Sequence, residues 1–86
     1  MKIFIHHNFK KYYLTLRNSE KERFKERRDL FQKTPFHPRL NNHALSGKYR
    51  GYRSINATGD LRVIYEPVGK DAALFIIIDT QSNLYK

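Results

Sequence analysis

Two segments typical of β-strands, Tyr49–Asn56 and Leu61–Glu66, are separated by the turn-forming residues Ala57–Asp60. Gly59, inside that turn, is free to take a positive φ angle. The pattern predicts an antiparallel β-hairpin. A lone hairpin is marginally stable in water, so the rest of the chain must cover its apolar face.

Two helices are predicted before the hairpin. Asn8 can cap the first, and Ser19 with Glu22 three residues later matches a capping box for the second. The second helix should end near Thr34, because a residue that precedes a proline leaves the helical region. The short connection 17–19 predicts an antiparallel pair of helices.

Further strands are predicted at both ends of the chain. Lys2–His6 has β-favouring residues, and Ala73–Ile78 is apolar on both faces, which is typical of a central strand. The sequence therefore predicts one domain, residues 1–86, of the α+β class. Its order is strand, helix, helix and then a three-stranded antiparallel meander, with the helices packed on one face of the sheet.

The charge of the chain is strongly one-sided. Its net charge is +9, and no Asp or Glu occurs from Leu30 to Gly59. The cations of that block are Lys33, Arg39, Lys48, Arg50 and Arg53. We expect a polyanionic partner, the alternative being a surface that only keeps the protein soluble. The absence of cysteine fits a cytoplasmic protein, and the longest apolar run, Ala72–Ile78, is too short to span a membrane.

Two arginines lie in the predicted hairpin. Pairing Asn56 with Leu61 across the turn would place Arg53 and Arg62 on the same face of the sheet. Two guanidinium groups beside an acid-free loop favour a phosphate site, because the guanidinium fork matches phosphate oxygens. The alternative is that each arginine pairs with a carboxylate across the sheet.

Three other residues have side chains suited to chemistry. His43 can act as an acid or base near neutral pH, or bond only to a backbone carbonyl. Asp60 is equally a good turn residue, and Tyr85 can stack on a base or simply cover the edge of the sheet. The histidines lack the spacing of a metal site, so no metal is expected.

Three motifs together resemble the RelE/ParE superfamily of bacterial toxins, and most closely its YafQ-like branch. They are L-x-x-H-x-L-x-G-x-x-x-G-x-R-S from Leu40, G-D-x-R-x-x-Y from Gly59, and T-x-S-x-L-Y from Thr80. The resemblance implies a RelE-like fold and the toxin of a type II toxin–antitoxin system. Such a toxin is a metal-independent endoribonuclease that cuts mRNA on the ribosome and inhibits translation. The ribose 2′-OH attacks the adjacent phosphate and leaves a 2′,3′-cyclic phosphate.

The resemblance also implies partners and site residues. The partners are the ribosome with mRNA and a cognate acidic antitoxin bound in a hetero-oligomer, with no cofactor and no membrane. Arg62 would stabilise the phosphorane, His43 and Asp60 would transfer protons or orient the nucleotide, and Tyr85 would stack on the substrate or orient it. Gln81 stands at the position where the resemblance implies the general acid or base near the C-terminus. The predicted RNA-binding residues are Lys48, Arg50 and Arg53.

The chain departs from the family pattern at four positions. Gln81 and Asn56 stand where histidines are expected, Leu61 where an aromatic residue is expected, and Ile77 where an arginine is expected. Glutamine and asparagine cannot transfer protons at neutral pH. Two hypotheses follow: a ribosome-dependent RNase with a reduced acid–base set, or a RelE-fold protein that binds antitoxin or RNA without cleavage. The motif from Leu40 argues against the topoisomerase-inhibiting ParE branch.

Overall fold

A computed structural model describes residues 1–85 as helices on a five-stranded mixed sheet with strand order β1-β5-β4-β3-β2. In chain order the elements are β1 Lys2–Ile5, α1 His7–Leu14, α2 Asn18–Lys33, β2 His43–Ala44, β3 Arg53–Asn56, β4 Leu61–Val68, β5 Ala72–Thr80 and α3 Gln81–Leu84. The predicted α+β class is confirmed. No helix among these residues is long and apolar enough to cross a bilayer.

The sheet contains the predicted meander and one strand that was not predicted. β1 pairs in parallel with β5, so β5 is an interior strand, as its apolar faces indicated. β2 has only two residues, too few for a periodic pattern. The predicted strand Tyr49–Asn56 begins only at Arg53, because Gly47 and Gly51 take φ angles of 66° and 93° and fold the preceding residues into turns.

Both helix starts differ from the prediction. The N-cap of α1 is His6, whose Nδ1 accepts a hydrogen bond from the Asn8 backbone N–H at 3.1 Å, so Asn8 lies inside the helix. The N-cap of α2 is Arg17, whose backbone N–H donates to Glu20 Oε1 at 2.9 Å. The predicted box of Ser19 with Glu22 is therefore wrong, because the N-cap lies two residues earlier and uses Glu20.

The main core lies between the sheet and the first two helices. Its centre is aromatic: Phe31 packs edge-on against Tyr65 with ring centroids 5.1 Å apart, and Phe9 and Phe24 both contact Phe75. Each buried phenylalanine contributes about 1.5–3 kcal/mol through removal of its apolar surface from water. Helix packing on one face of the sheet is thus confirmed.

The other face of the sheet is covered by the C-terminal helix. Leu84 of α3 is buried with only 3% of its surface exposed, and Ile64 and Ser54 on this face are almost fully buried. α3 thereby covers part of the sheet face that the two longer helices leave open, above β5.

The hairpin register separates the two arginines. Asn56 pairs with Arg62, not with Leu61, and Arg53 pairs with Tyr65. Side chains alternate along a strand, so Arg53 and Arg62 lie on opposite faces, and the same-face prediction is wrong. The cause is the turn: Thr58 Oγ1 accepts hydrogen bonds from the backbone N–H groups of Asp60 at 3.2 Å and Leu61 at 3.0 Å. This side-chain closure lengthens the loop by one residue, without a positive φ at Gly59.

Candidate active-site cleft

A cleft of about 490 Å³ lies on the sheet face opposite the two long helices. One wall is the segment that carries β2, and the other is formed by β4 and α3. The lining residues are Asn41, His43, Ala44, Leu45, Ser46, Arg62, Gln81 and Tyr85. Residues from three separate parts of the chain therefore converge on one concave surface, as small-ligand and substrate sites do.

Arg62 is held by the turn that precedes it. Its Nη1 donates to the carbonyl oxygens of Thr58 and Leu61 at 3.1 and 3.0 Å, and both terminal nitrogens lie 3.3 Å from the Gly59 carbonyl. Its Nη2 also donates to Gln81 Oε1 at 3.2 Å. Neutral acceptors thus fix the orientation of the guanidinium and leave its charge in place.

The charge of Arg62 has no carboxylate partner within 4 Å among residues 1–85. The nearest acid across the ladder is Asp79, which pairs with Arg62 in the β4–β5 register. Its Oδ1 instead accepts from the backbone N–H of Thr80 at 2.8 Å and from Asn83 Nδ2 at 3.0 Å. Arg62 therefore does not form the ion pair that was the alternative, and its charge is not neutralised. An anion that binds it would contact Nε or displace a neutral acceptor such as Gln81 Oε1 from Nη2.

His43 lies exposed in the opposite wall. Its Nδ1 is 2.7 Å from the backbone carbonyl of Asn41. A carbonyl oxygen only accepts, so this bond requires the proton on Nδ1 and leaves Nε2 of the neutral ring as an acceptor. Asn41 itself has a φ of 45°, a left-handed conformation that asparagine tolerates better than most residues. His43 thus bonds a backbone carbonyl and also lines the cleft, so bonding to the backbone and acting as an acid or base do not exclude each other.

The start of α3 is fixed by local hydrogen bonds. Thr80 caps the helix by accepting from the backbone N–H of Asn83 at 3.2 Å. The backbone N–H of Gln81 donates to the Asp60 carbonyl at 2.9 Å, which ties α3 to the hairpin turn. The end of β5, the first turn of α3 and the hairpin turn together therefore fix the position from which Gln81 reaches the cleft.

Tyr85 and Tyr49 form an aromatic pair at one end of the cleft. Their rings meet edge to face with centroids 6.2 Å apart, and Lys48 Nζ lies 5.1 Å from the Tyr49 ring centroid. Burial raises the pKa of Tyr49 above its ordinary value, and nearby Tyr12, Tyr85 and Asp79 add to the rise. Tyr49 thus stays a neutral donor at physiological pH, while Tyr85 is 44% exposed as a residue.

The structure brings together four of the five predicted catalytic residues: His43, Arg62, Gln81 and Tyr85. Asp60 is exposed and outside the lining, and it contributes its backbone carbonyl to the start of α3. Their chemical roles stay predictions.

The three predicted RNA-binding residues are dispersed. Lys48 and Arg50 are exposed on the turns before β3. Arg53 is half-buried on the helix-facing side, where its Nε donates to Asn42 Oδ1 at 2.8 Å and its guanidinium stacks 5.2 Å from the Phe36 ring. These contacts give Arg53 a structural role through an amide partner, where sequence reasoning considered only an acid.

Several lining residues were not predicted. Asn41 and Ser46 were missed because neither carries a charge or titrates; the only signal was the left-handed preference of asparagine before His43.

Beneath the cleft, Ser54 Oγ and Asn56 Oδ1 are buried without a hydrogen-bond partner in the described part of the chain. No group of three histidine, cysteine, aspartate or glutamate side chains suited to a metal ion occurs within residues 1–85.

The sheet order, the two helices on one face and a cleft closed by a C-terminal helix define the fold as that of RelE/ParE-type toxins. No protein-family model and no curated protein sequence matches the chain, so the similarity is one of three-dimensional structure.

Among solved structures, YafQ from E. coli strain BL21(DE3) matches with a TM-score of 0.81 and 22% identity, covering 99% of this chain and 98% of that one. YafQ in the E. coli DinJ-YafQ toxin–antitoxin complex matches with a TM-score of 0.78 and 21% identity over 99% and 97% of the two chains. The YoeB/ParE toxin from Agrobacterium tumefaciens matches at 0.76 and 20% identity over 94% and 99%. The predicted RelE-like fold and its likeness to YafQ are thus confirmed.

Proposed function

We propose that the chain is the toxin of a type II toxin–antitoxin system and cleaves mRNA on the ribosome as a metal-independent endoribonuclease. The observation that carries the proposal is the Arg62 guanidinium, fixed by neutral acceptors and facing a cleft that also contains His43. The similarity to solved toxins supports it, since the structural match covers 99% of this chain.

In this proposal Arg62 binds the scissile phosphate. Attack by the ribose 2′-OH places negative charge on the equatorial oxygens of the phosphorane, and a pre-oriented guanidinium stabilises that charge more than it stabilises the ground state. Carbonyl groups position Arg62 Nη1, and the bond from Nη2 to Gln81 Oε1 is the one that a phosphate oxygen would replace in this proposal. A contact of this type is worth about 10²–10³ in rate.

His43 is the proposed general base. The Asn41 carbonyl fixes the tautomer in which Nε2 is free to accept the proton of the 2′-OH. The new bond joins the 2′-oxygen to phosphorus, and the bond to the 5′-oxygen of the next nucleotide breaks. That leaving oxygen needs a proton, which Gln81 cannot give. Solvent or the ribosome supplies it in this scheme, so cleavage is slower than with an acid at position 81.

The second candidate function is binding without cleavage. It is favoured by the hydrogen bond from Arg62 to Gln81 and by Asn56, two carboxamides at positions where the family pattern has histidines. In that case the protein binds RNA or its antitoxin through its basic surface and catalyses no reaction.

The proposed protein partner is an acidic antitoxin. A toxin of net charge +9 is matched by a partner rich in aspartate and glutamate, and one of the similar solved structures is a toxin–antitoxin complex. We expect the two to form a hetero-oligomer in which toxicity is suppressed.

The experiment is induction of the chain in a bacterium, followed by mapping of mRNA 5′ ends. New 5′-hydroxyl ends within translated regions, absent on expression of Arg62→Ala, support the nuclease. The absence of new ends contradicts the nuclease: growth arrest would then support RNA binding without cleavage, and normal growth would leave only binding to the antitoxin.

A further inference from the structure

A second cleft, of about 300 Å³, is lined by arginines from two elements. Arg23 and Arg27 come from α2, and Arg39 comes from the turn Pro38–Leu40. Glu26 and the half-buried Leu30 complete the lining. Arg27 Nη1 lies 3.5 Å from the Arg39 backbone carbonyl, which links the helix to the turn.

The positive charge of this cleft is uncompensated. Within residues 1–85, none of its three arginines comes within 4 Å of a carboxylate, although three other basic residues of the Arg17–Asp29 region do so. Glu26 is present but pairs with none of them, and it leaves an excess of two positive charges. Arg23 and Arg27 are also four residues apart on a helix, a spacing at which like charges repel. An arrangement that costs stability and lacks an internal partner points to an external anion.

The position of the arginine cleft identifies the kind of anion. Arg39 lines this cleft and Asn41 lines the candidate active-site cleft, with one residue between them. Consecutive Cα atoms are about 3.8 Å apart, so these two are separated by at most about 7.6 Å. The arginine cleft lies on the helix side of the sheet and the candidate active-site cleft on the other side, so a strand that occupies both passes around the edge of the sheet at residues 39–41. A guanidinium group can bind two oxygens of one phosphate at once. Leu30, the apolar residue of the lining, offers no hydrogen-bonding group that could distinguish one base from another.

We propose that the cleft of Arg23, Arg27 and Arg39 binds the phosphodiester backbone of single-stranded RNA beside the segment held at Arg62. The inference rests on the proposed function for the identity of the ligand, but it concerns binding and needs no cleavage. The contact is independent of base sequence, because it is made to phosphates.

The test is fluorescence anisotropy with a short labelled single-stranded RNA whose riboses carry 2′-O-methyl groups, so that cleavage is blocked. The variant is Arg23→Gln/Arg39→Gln. Each phosphate contact on a single strand contributes about 0.7 to the slope of log affinity against log salt, so we expect the slope to fall by about 1.4. The matched control is Arg17→Gln/Arg28→Gln, which removes the same charge from residues that already have carboxylate partners. It should change the slope by much less.

An equal fall in both double variants, or no fall in either, would overturn the proposal, as would the absence of measurable RNA binding by the unmodified chain. Poly-L-glutamate serves as a second probe: an equal loss of its binding would assign the cleft to an acidic protein segment. Thermal melting checks folding, and Arg39→Gln alone, at an exposed turn, should still lower the slope by about 0.7. An unchanged slope with mRNA cleavage intact refutes only this inference, whereas a selective fall without any cleavage supports it and refutes the nuclease.

Discussion

Replacement of Arg62 by alanine removes both a charge from the cleft and a structural link. The charge lost is the one proposed to stabilise the phosphorane, so single-turnover cleavage of ribosome-bound mRNA should fall about 10²–10³-fold, or about 2.7–4 kcal/mol. The link lost joins the hairpin turn to α3 through the Gly59 carbonyl and Gln81. Its hydrogen bonds are partly exposed, so we expect a cost of about 1–2 kcal/mol in unfolding free energy. For a domain of this size that lowers the melting temperature by roughly 5–15 °C.

The assay is single-turnover cleavage at a temperature where calorimetry shows both proteins fully folded. Arg62→Lys keeps the charge without the fork and should recover part of the rate, because an ammonium contacts one phosphate oxygen at a time. Arg28→Ala provides a control for net charge, since Arg28 pairs with Asp29 at 3.1 Å outside the cleft. An Arg62→Ala rate within about tenfold of the unmodified chain, equal to about 1.4 kcal/mol, would refute a role for Arg62 in the transition state.

Three further predictions concern single side chains. Gln81→His should raise single-turnover cleavage by about 10²–10⁴-fold at low pH. The gain should be lost as the pH rises through a histidine pKa below the ordinary value of about 6.5, since Arg62 disfavours the charged ring; a flat pH–rate profile would contradict this. Arg53→Ala should lower the unfolding free energy by about 1–3 kcal/mol in denaturant titrations, because Asn42 loses its donor, whereas a purely RNA-binding arginine would leave stability unchanged. Leu84→Ala should cost about 2–5 kcal/mol, and amide exchange should show α3 detached from the sheet; a cost below about 1 kcal/mol would mean that α3 is not anchored by this side chain.

The fold was predictable where a pattern extends over many residues. The two apolar faces of β5 gave that strand and its interior position correctly, and the proline that follows Thr34 gave the end of α2 to within one residue. Side-chain caps were less predictable, because several neighbouring residues can serve. Asn8, Ser19 and Glu22 all belong to residue types that cap helices. The capping bonds are nevertheless made by His6 and Glu20, because the preceding strand and turn place these two side chains next to the free backbone N–H groups.

The candidate site was predictable in its residue types and not in its geometry. The hairpin register depended on one hydroxyl, that of Thr58, and its shift by a single residue moved Arg53 to the opposite face from Arg62. No sequence pattern distinguishes an arginine stacked on Phe36 from one facing a cleft. The arginine cleft was missed for a similar reason, since Arg23 and Arg39 come together only through the packing of a turn on α2.

The parallel pairing of β1 with β5 also constrains how the protein is made. Lys2 pairs with Ala72 and Ile5 with Phe75, so β1 has no strand partner until the distant β5 has also been translated. Contacts between such distant residues carry a large loop-closure cost and slow folding relative to helical bundles of similar size. Until β5 has been synthesised, β1 is an unpaired strand with three large apolar side chains, Ile3, Phe4 and Ile5, and is open to pairing with other chains. The pairing of β1 is therefore a late step, and α3, which follows β5 directly, can complete the cleft only after β5 is in place.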